Sequence, residues 1–180
     1  MANSAHKDYR NHVTVPGYAR AGFLPHLMKI TVRELAKVLR LTKVEAMAAC
    51  GNSGVVLGGA LSFATGLPLI VVRKERDDVG HGYQTTGYRR DGGSYAIVDD
   101  IIVSGRTVRH ILRQVREFAP TMTCASILLY EVMRYASWNP STGQYDPSFE
   151  DAAYRPKIPV TCVMAQIEKA VARARFKEGP

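Results

Sequence analysis

The run YAIVDDIIVSGRT, from Tyr95 to Thr107, constrains the fold of this chain more than any other stretch. Ala96, Ile97 and Val98 form an apolar strand that leads into paired carboxylates, Asp99 and Asp100. Small residues follow (Ser104, Gly105, Thr107), and then a helix beginning near Thr107. A parallel strand delivers such a segment to the carboxyl edge of its sheet, where α/β folds hold their ligands. There the amides of residues 103 to 107 can wrap an anion with the help of the helix dipole. Ser104 and Thr107 add hydroxyl donors, and Gly105 lets the backbone come close. Phosphate donors at one end and carboxylate acceptors at the other suit a ribose 5-phosphate.

The run closely resembles the phosphoribosyl-diphosphate (PRPP) motif of type I phosphoribosyltransferases: apolar strand, two acids, two apolar residues, then a Ser/Thr-Gly-x-Thr turn. An acid that merely caps the next helix would leave the second acid, the glycine turn and Thr107 unaccounted for. The resemblance implies a Rossmann-like α/β core on a parallel sheet with a small irregular cap, or hood. It also implies PRPP as cosubstrate and Mg²⁺ as cofactor. Val103, Ser104, Gly105, Arg106 and Thr107 would bind the 5-phosphate. Asp99 and Asp100 would be catalytic and would meet the metal indirectly, through ribose hydroxyls or water.

At 180 residues the chain suits one domain with a sizeable core. The alternation of strands and helices predicts a parallel sheet covered on both faces. TVRELAKVLR, from Thr31 to Arg40, reads as a helix with Thr31 as N-cap and Glu34 completing a capping box. Strands are expected from Glu45 to Cys50, Leu69 to Val72, Thr123 to Val132 and Val160 to Met164, with helices from Val108 to Phe118 and Ala165 to Lys177. The expected core spans about 31–134 and 160–180 of a single domain, and residues 1–30 and 135–159 form the cap. Four prolines between Tyr135 and Pro159 mark that segment as irregular, with room for a short hairpin.

Cys50, Cys124 and Cys162 are odd in number and lie in or beside apolar runs, so they are expected as buried small hydrophobes in a reducing compartment. With no apolar signal core at the N-terminus and no membrane-length apolar run, a cytoplasmic protein is expected. The net charge of +8 is spread along the chain without an aromatic-basic RNA motif. An anionic substrate needs basic groups too, so charge alone does not separate it from nucleic-acid binding; with no such motif present, no nucleic-acid or membrane partner is expected. The likeness to the family implies a homodimer.

GNSGVVLGG, residues 51–59, follows a strand and opens a helix, as a second phosphate loop would. Small residues also let a helix pack tightly on a sheet. Its place before Arg73, Lys74 and the main motif matches the family's pyrophosphate loop. Asn52, Ser53, Gly54, Arg73 and Lys74 are therefore expected to bind diphosphate, with Lys74 also catalytic. The polar loop from Glu75 to Gly93 is expected to be mobile and to close over the site. Arg76, Arg89 and Arg90 read as solvated charges.

VVRKERDDVGHG is similar to the loop region of orotate phosphoribosyltransferases at Arg73, Lys74, Glu75, Asp78, Gly80 and Gly82, with Asp78 and His81 as loop residues. Asp77 stands where that family has its loop lysine and Val79 where it has a histidine. Val103 replaces the acid of hypoxanthine-guanine enzymes, and Tyr130 and Glu131 stand where those enzymes keep a base-reading lysine. The expected activity is transfer of ribose 5-phosphate from PRPP to a nitrogenous base with release of diphosphate. An orotate-like pyrimidine ranks ahead of adenine, and both ahead of a 6-oxopurine. Trp138 is a base-stacking or packing residue. The lost loop lysine and the basic charge favour one alternative, a non-catalytic PRPP- or nucleotide-binding regulator, with RNA as a further ligand. A cation at position 77 would again meet the departing diphosphate. Asp77→Lys should therefore raise the rate of orotate turnover in a steady-state assay, and an unchanged rate would remove this loop position from the chemistry.

Overall fold

The computed structural model describes residues 24–74, 83–102, 104–131, 138–139, 144–145, 148–151 and 154–177. The chain runs α1 (Pro25–Thr42), β1 (Ala46–Cys50), α2 (Gly51–Thr65), β2 (Leu69–Val72), β3 (Thr85–Gly87), β4 (Ser94–Asp99) and α3 (Arg106–Phe118). It continues through β5 (Thr123–Leu129), β6 (Trp138–Asn139), β7 (Gln144–Tyr145), β8 (Ser148–Asp151), β9 (Tyr154–Cys162) and α4 (Met164–Lys177). One sheet has the order β3-β2-β1-β4-β5-β9-β8. Its five central strands are parallel, and β3 and β8 close the edges antiparallel.

Every residue of β1 is buried. So is all of β4 after Ser94, as expected for strands covered on both faces. Alternate side chains feed two cores. Ala46, Ala48, Tyr95, Ile97 and Ile127 pack with Val108, Ile111, Leu112 and Val115 of α3. Met47, Ala96, Val98 and Leu128 pack on the opposite face with Leu35 and Leu39 of α1, Leu57 and Leu61 of α2 and Ile167 of α4. α3 has its apolar residues on one face and exposes Arg106, Arg109, Arg113 and Arg116. Its burial against the sheet, more than helix propensity, holds it in place.

Four sequence expectations change. Thr31 does not cap α1: the helix starts at Pro25, whose fixed φ suits a first helical position, and Thr31 lies inside it. Glu34 accepts instead from Arg33 (3.0 Å) and Lys37 (2.8 Å), which hold its carboxylate below the ordinary range. The segment after Lys74 contains β3, which pairs Val71 with Thr86. In the stretch from Tyr135 to Pro159, β6 and β7 pair antiparallel as the expected short hairpin, but β9 begins at Tyr154, earlier than the strand expected from Val160, and joins the main sheet. Among the cysteines only Cys50 is fully buried, while Cys162 is exposed. Burial still pushes the Cys124 thiol up to about 12 and raises that of Cys162, so neither is a ready thiolate.

The buried Thr31 hydroxyl has no hydrogen-bond partner among the described residues. Removing an orphaned buried hydroxyl at constant shape recovers about 1 kcal/mol or more. Thr31→Val should therefore leave stability unchanged or raise it by about 1 kcal/mol in a denaturant titration, and a clear loss would mean the hydroxyl is satisfied.

Candidate active site

The carboxyl ends of β2, β1 and β4 lie side by side because these strands are parallel neighbours, with Cys50 paired to Val72 and Ala48 to Ile97. Two helices start on this edge. α2 opens directly from β1, so the expected tight loop is its first turn, with Gly51 at φ +70°. Its N-cap, Cys50, makes no side-chain capping bond to the helix, and its first turn holds no acid. α3 opens after β4 with Gly105 as N-cap at φ +72°, again with no side-chain bond from the cap and no acid in the first turn. The first bond of α3 runs from the Arg109 amide to the Gly105 carbonyl, 2.9 Å, so the amides of Arg106, Thr107 and Val108 have no acceptor within the helix. Ser104 Oγ lies 3.4 Å from the Arg106 amide, and Arg109 Nη1 donates to the Ser104 carbonyl at 2.9 Å, fixing the turn. Two helix N-termini on one edge, without the acids that usually complement the dipole, make an anion-binding surface.

Between them sits the acid pair. Asp99 and Asp100 are both buried, 4% and 6% exposed, at the mouth of the sheet. The Asp100 amide donates to Asp99 Oδ1 at 2.9 Å, and the Ile101 amide to Asp100 Oδ1 at 2.8 Å. The Glu131 amide donates to the Asp100 carbonyl at 3.0 Å and ties the turn to the end of β5. Burial pushes Asp99 well above the usual carboxylate range, the charge of Asp100 adds to this, and Lys74 opposes it.

Lys74 is exposed, but its side chain lies over the start of α2: a Cβ on Gly51 would stand 2.8 Å from Lys74 Cε and 3.4 Å from Nζ. A Cβ on Gly54 would meet the Val98 carbonyl at 3.2 Å and Asp99 Oδ1 at 3.5 Å. Glycine at both positions lets the amine, the α2 N-terminus and the Asp99 carboxylate converge. Asn52 and Ser53 occupy the same first turn, with Asn52 exposed.

Of the expected site residues, Asn52, Ser53, Gly54, Arg73, Lys74, Asp99, Asp100, Ser104, Gly105, Arg106 and Thr107 all fall on this edge. Val103, Asp77, Asp78, Val79 and His81 lie outside the described residues, as does the side chain of Trp138. One neighbour was not anticipated. His110 on α3 is buried, and its Nε2 lies 2.6 Å from the Arg73 carbonyl. A histidine at one position of an amphipathic helix gives no signal in the sequence that its ring reaches the next strand over.

The resemblance to type I phosphoribosyltransferases holds in sequence over part of the chain and in fold. Over 110 residues the chain is 32% identical to the orotate phosphoribosyltransferase of Methanosarcina acetivorans, covering 61% of this chain and 57% of that protein. Over 100 residues it is 31% identical to a hypoxanthine/guanine phosphoribosyltransferase of Methanosphaerula palustris, covering 49% and 55%. The chain thus spans about half the length of the curated relatives it matches. No family model matches it. In fold it is similar to orotate phosphoribosyltransferase from Aeropyrum pernix, with a TM-score of 0.54, 17% identity and coverage of 82% of this chain and 77% of that one. It is also similar to Leishmania donovani UMP synthase, with a TM-score of 0.59, 20% identity and coverage of 88% and 32%.

Because Asp99 binds its proton more tightly folded than unfolded, the folded state holds more protons between the ordinary Asp pKa and the raised one. Stability therefore falls as pH rises through that window. Asp99→Asn keeps the acceptor for the Asp100 amide and removes this loss. Its melting temperature should match or exceed that of the unliganded wild type at neutral pH, and the gap should close toward pH 4. A variant less stable at every pH would mean that the carboxylate is not strained by burial.

Proposed function

We propose that the protein transfers ribose 5-phosphate from PRPP to a nitrogenous base and releases diphosphate, with an orotate-like pyrimidine favoured over adenine. The observation that carries this reading is the convergence, on one sheet edge, of two uncapped helix N-termini, Lys74 and a buried acid pair. The start of α3 with Ser104, Gly105, Arg106 and Thr107 takes the 5-phosphate. The start of α2 with Asn52, Ser53 and Gly54 takes the diphosphate, joined by Arg73 and Lys74. Val103 completes the first of these sets on sequence grounds.

The C1–diphosphate bond breaks with positive charge developing on the sugar. Lys74 and the α2 amides stabilise the departing polyanion, and they do so without reorganisation because the fold sets them in advance. Asp99 and Asp100 hold the ribose hydroxyls and place negative charge near the sugar, and fixed positioning of both partners supplies much of the rest. Mg²⁺ fits this donor set as a substrate-borne ion. Each acid has one oxygen engaged by a backbone amide, and no group of three metal-ligating side chains exists among the described residues. An ion held by PRPP oxygens and water, with Asp99 and Asp100 outside it, would supply charge neutralisation on the diphosphate.

Names of the relatives point to both orotate and hypoxanthine/guanine as acceptors in this group of proteins. For this chain Val103 favours the pyrimidine, since it cannot exchange a proton with a purine ring nitrogen. The same reading takes the protein as a cytoplasmic homodimer, and the exposed Leu41 and Phe63 offer apolar surface for a partner copy. No described helix is long and apolar enough to cross a membrane.

Incubation with PRPP, Mg²⁺ and a panel of orotate, uracil, adenine, hypoxanthine and guanine should release diphosphate fastest with orotate. Asp100→Asn, with the fold intact by circular dichroism, should lose at least about tenfold in kcat/KM for PRPP, a barrier rise of about 1.4 kcal/mol. Robust hypoxanthine turnover would overturn the pyrimidine preference. PRPP binding without turnover of any base would favour the regulatory alternative.

A further inference from the structure

Lys74 stands at the end of β2 on an exposed stretch, and a lysine there loses much of its value if its backbone wanders. The backbone of the preceding residue is held from both sides. The Arg73 amide donates to the Gln84 carbonyl at 2.9 Å, joining the strand that leaves the sheet to the strand that returns. The Arg73 carbonyl accepts from His110 Nε2 at 2.6 Å, a contact between residues 37 apart in sequence. A carbonyl can only accept, so the ring proton sits on Nε2. On the other side of the ring Arg113 Nη2 lies 3.2 Å from Nδ1, and a guanidinium can only donate, so Nδ1 offers its lone pair. The two partners select the same tautomer and fix the ring plane.

His110 is buried in the face of α3 that packs on the sheet, two residues beyond Val108 and one before Ile111 of the core. The helix that carries it begins at the proposed 5-phosphate site. The strand end it grips carries the amine proposed to meet the diphosphate. We propose that His110, oriented by Arg113, is a positioning residue for Lys74: it transmits the placement of α3 to the end of β2 and so sets the separation between the two phosphate sites. This deepens the reading of the site as a PRPP site and rests on it. His110 touches neither phosphate in this role and acts only through the Arg73–Lys74 backbone.

Calorimetric titration of the 180-residue chain with PRPP and, separately, with inorganic diphosphate, both with Mg²⁺, tests this without requiring turnover. His110→Ala should weaken diphosphate binding about tenfold and raise KM for PRPP, leaving KM for the base unchanged. His110→Gln, whose amide can still donate to the Arg73 carbonyl, should restore most of the affinity. Adding His110→Ala to Lys74→Ala should cost little more than Lys74→Ala alone, since both act through one amine. If His110→Ala does not fold, Arg113→Ala and His110→Gln carry the test, with weakened diphosphate binding expected in the first and near wild-type binding in the second. Folded His110→Ala or Arg113→Ala protein that binds diphosphate like the wild type overturns the inference alone. So do additive losses in the double variant. Wild-type protein that binds neither PRPP nor diphosphate overturns the reading of the site and the inference with it.

Discussion

The parallel pairing of β4 with β1, in the register Ala46 to Tyr95, Met47 to Ala96 and Ala48 to Ile97, is the constraint on which the rest of the molecule depends. It sends two chain segments out of the sheet on the same side, each straight into a helix. Both helix starts lack a side-chain bond from the N-cap residue and acids in the first turn, so their leading amides, which have no acceptor within the helix, and their positive dipole ends face one region. The same register brings the start of α2 against the end of β4, where Gly54 comes close to the Val98 carbonyl and the Asp99 carboxylate. A slip of one residue would exchange the side chains of the two cores and carry Asp99 away from Lys74. The burial that forbids the slip is therefore also what assembles the site.

That burial has a cost, which falls on Asp99. A carboxylate 4% exposed beside a second carboxylate is poorly solvated, and among the described residues the cation that acts on it is Lys74. Hydrogen bonds from the Asp100 and Ile101 amides fix the pair without neutralising it. Lys74 is the counterpart in the opposite condition, a solvated amine whose placement comes from Gly51 beneath it and from the backbone behind it.

Much of the sheet edge was legible in the sequence because its pieces are local. The strand into Asp99 and Asp100, the small-residue turn at Ser104 to Thr107 and the small-residue start of α2 are each contiguous, and alternation of strands and helices is enough to bring them to one side. What escaped notice depended on contacts between distant segments. Thr31 looks like an N-cap in isolation, but Pro25 starts the helix earlier and tertiary packing carries it through. β3 is three residues of threonine and glycine, too short for a periodicity signal, and exists because β2 offers a pairing edge. β9 contains two prolines and starts well before the apolar run at Val160; its pairing with β8 gives the early part a partner. His110 could not be identified at all, since its partner is a backbone carbonyl and carbonyls carry no sequence signature.

The split between contiguous and assembled features also bears on specificity. Phosphate recognition uses helix N-termini and strand ends, which any sequence with the right register and small residues supplies. Proteins named for different bases can therefore share this part of the chain, and relatives bearing orotate and hypoxanthine/guanine names match it at almost the same identity, 32% and 31%. Under the proposed function, choice of base would then come from side chains next to the reacting carbon. Two positions in this chain bear on it, Val103 beside the phosphate turn and the Tyr130–Glu131 pair at the end of β5, where the Glu131 amide already grips the Asp100 carbonyl. The segment that follows β5 is thus mechanically joined to the acid pair. Under the proposed function, a change at Glu131 that shifts its backbone would disturb the acid pair as well as any contact to the base, whereas a change confined to its side chain would leave the Asp100 carbonyl held.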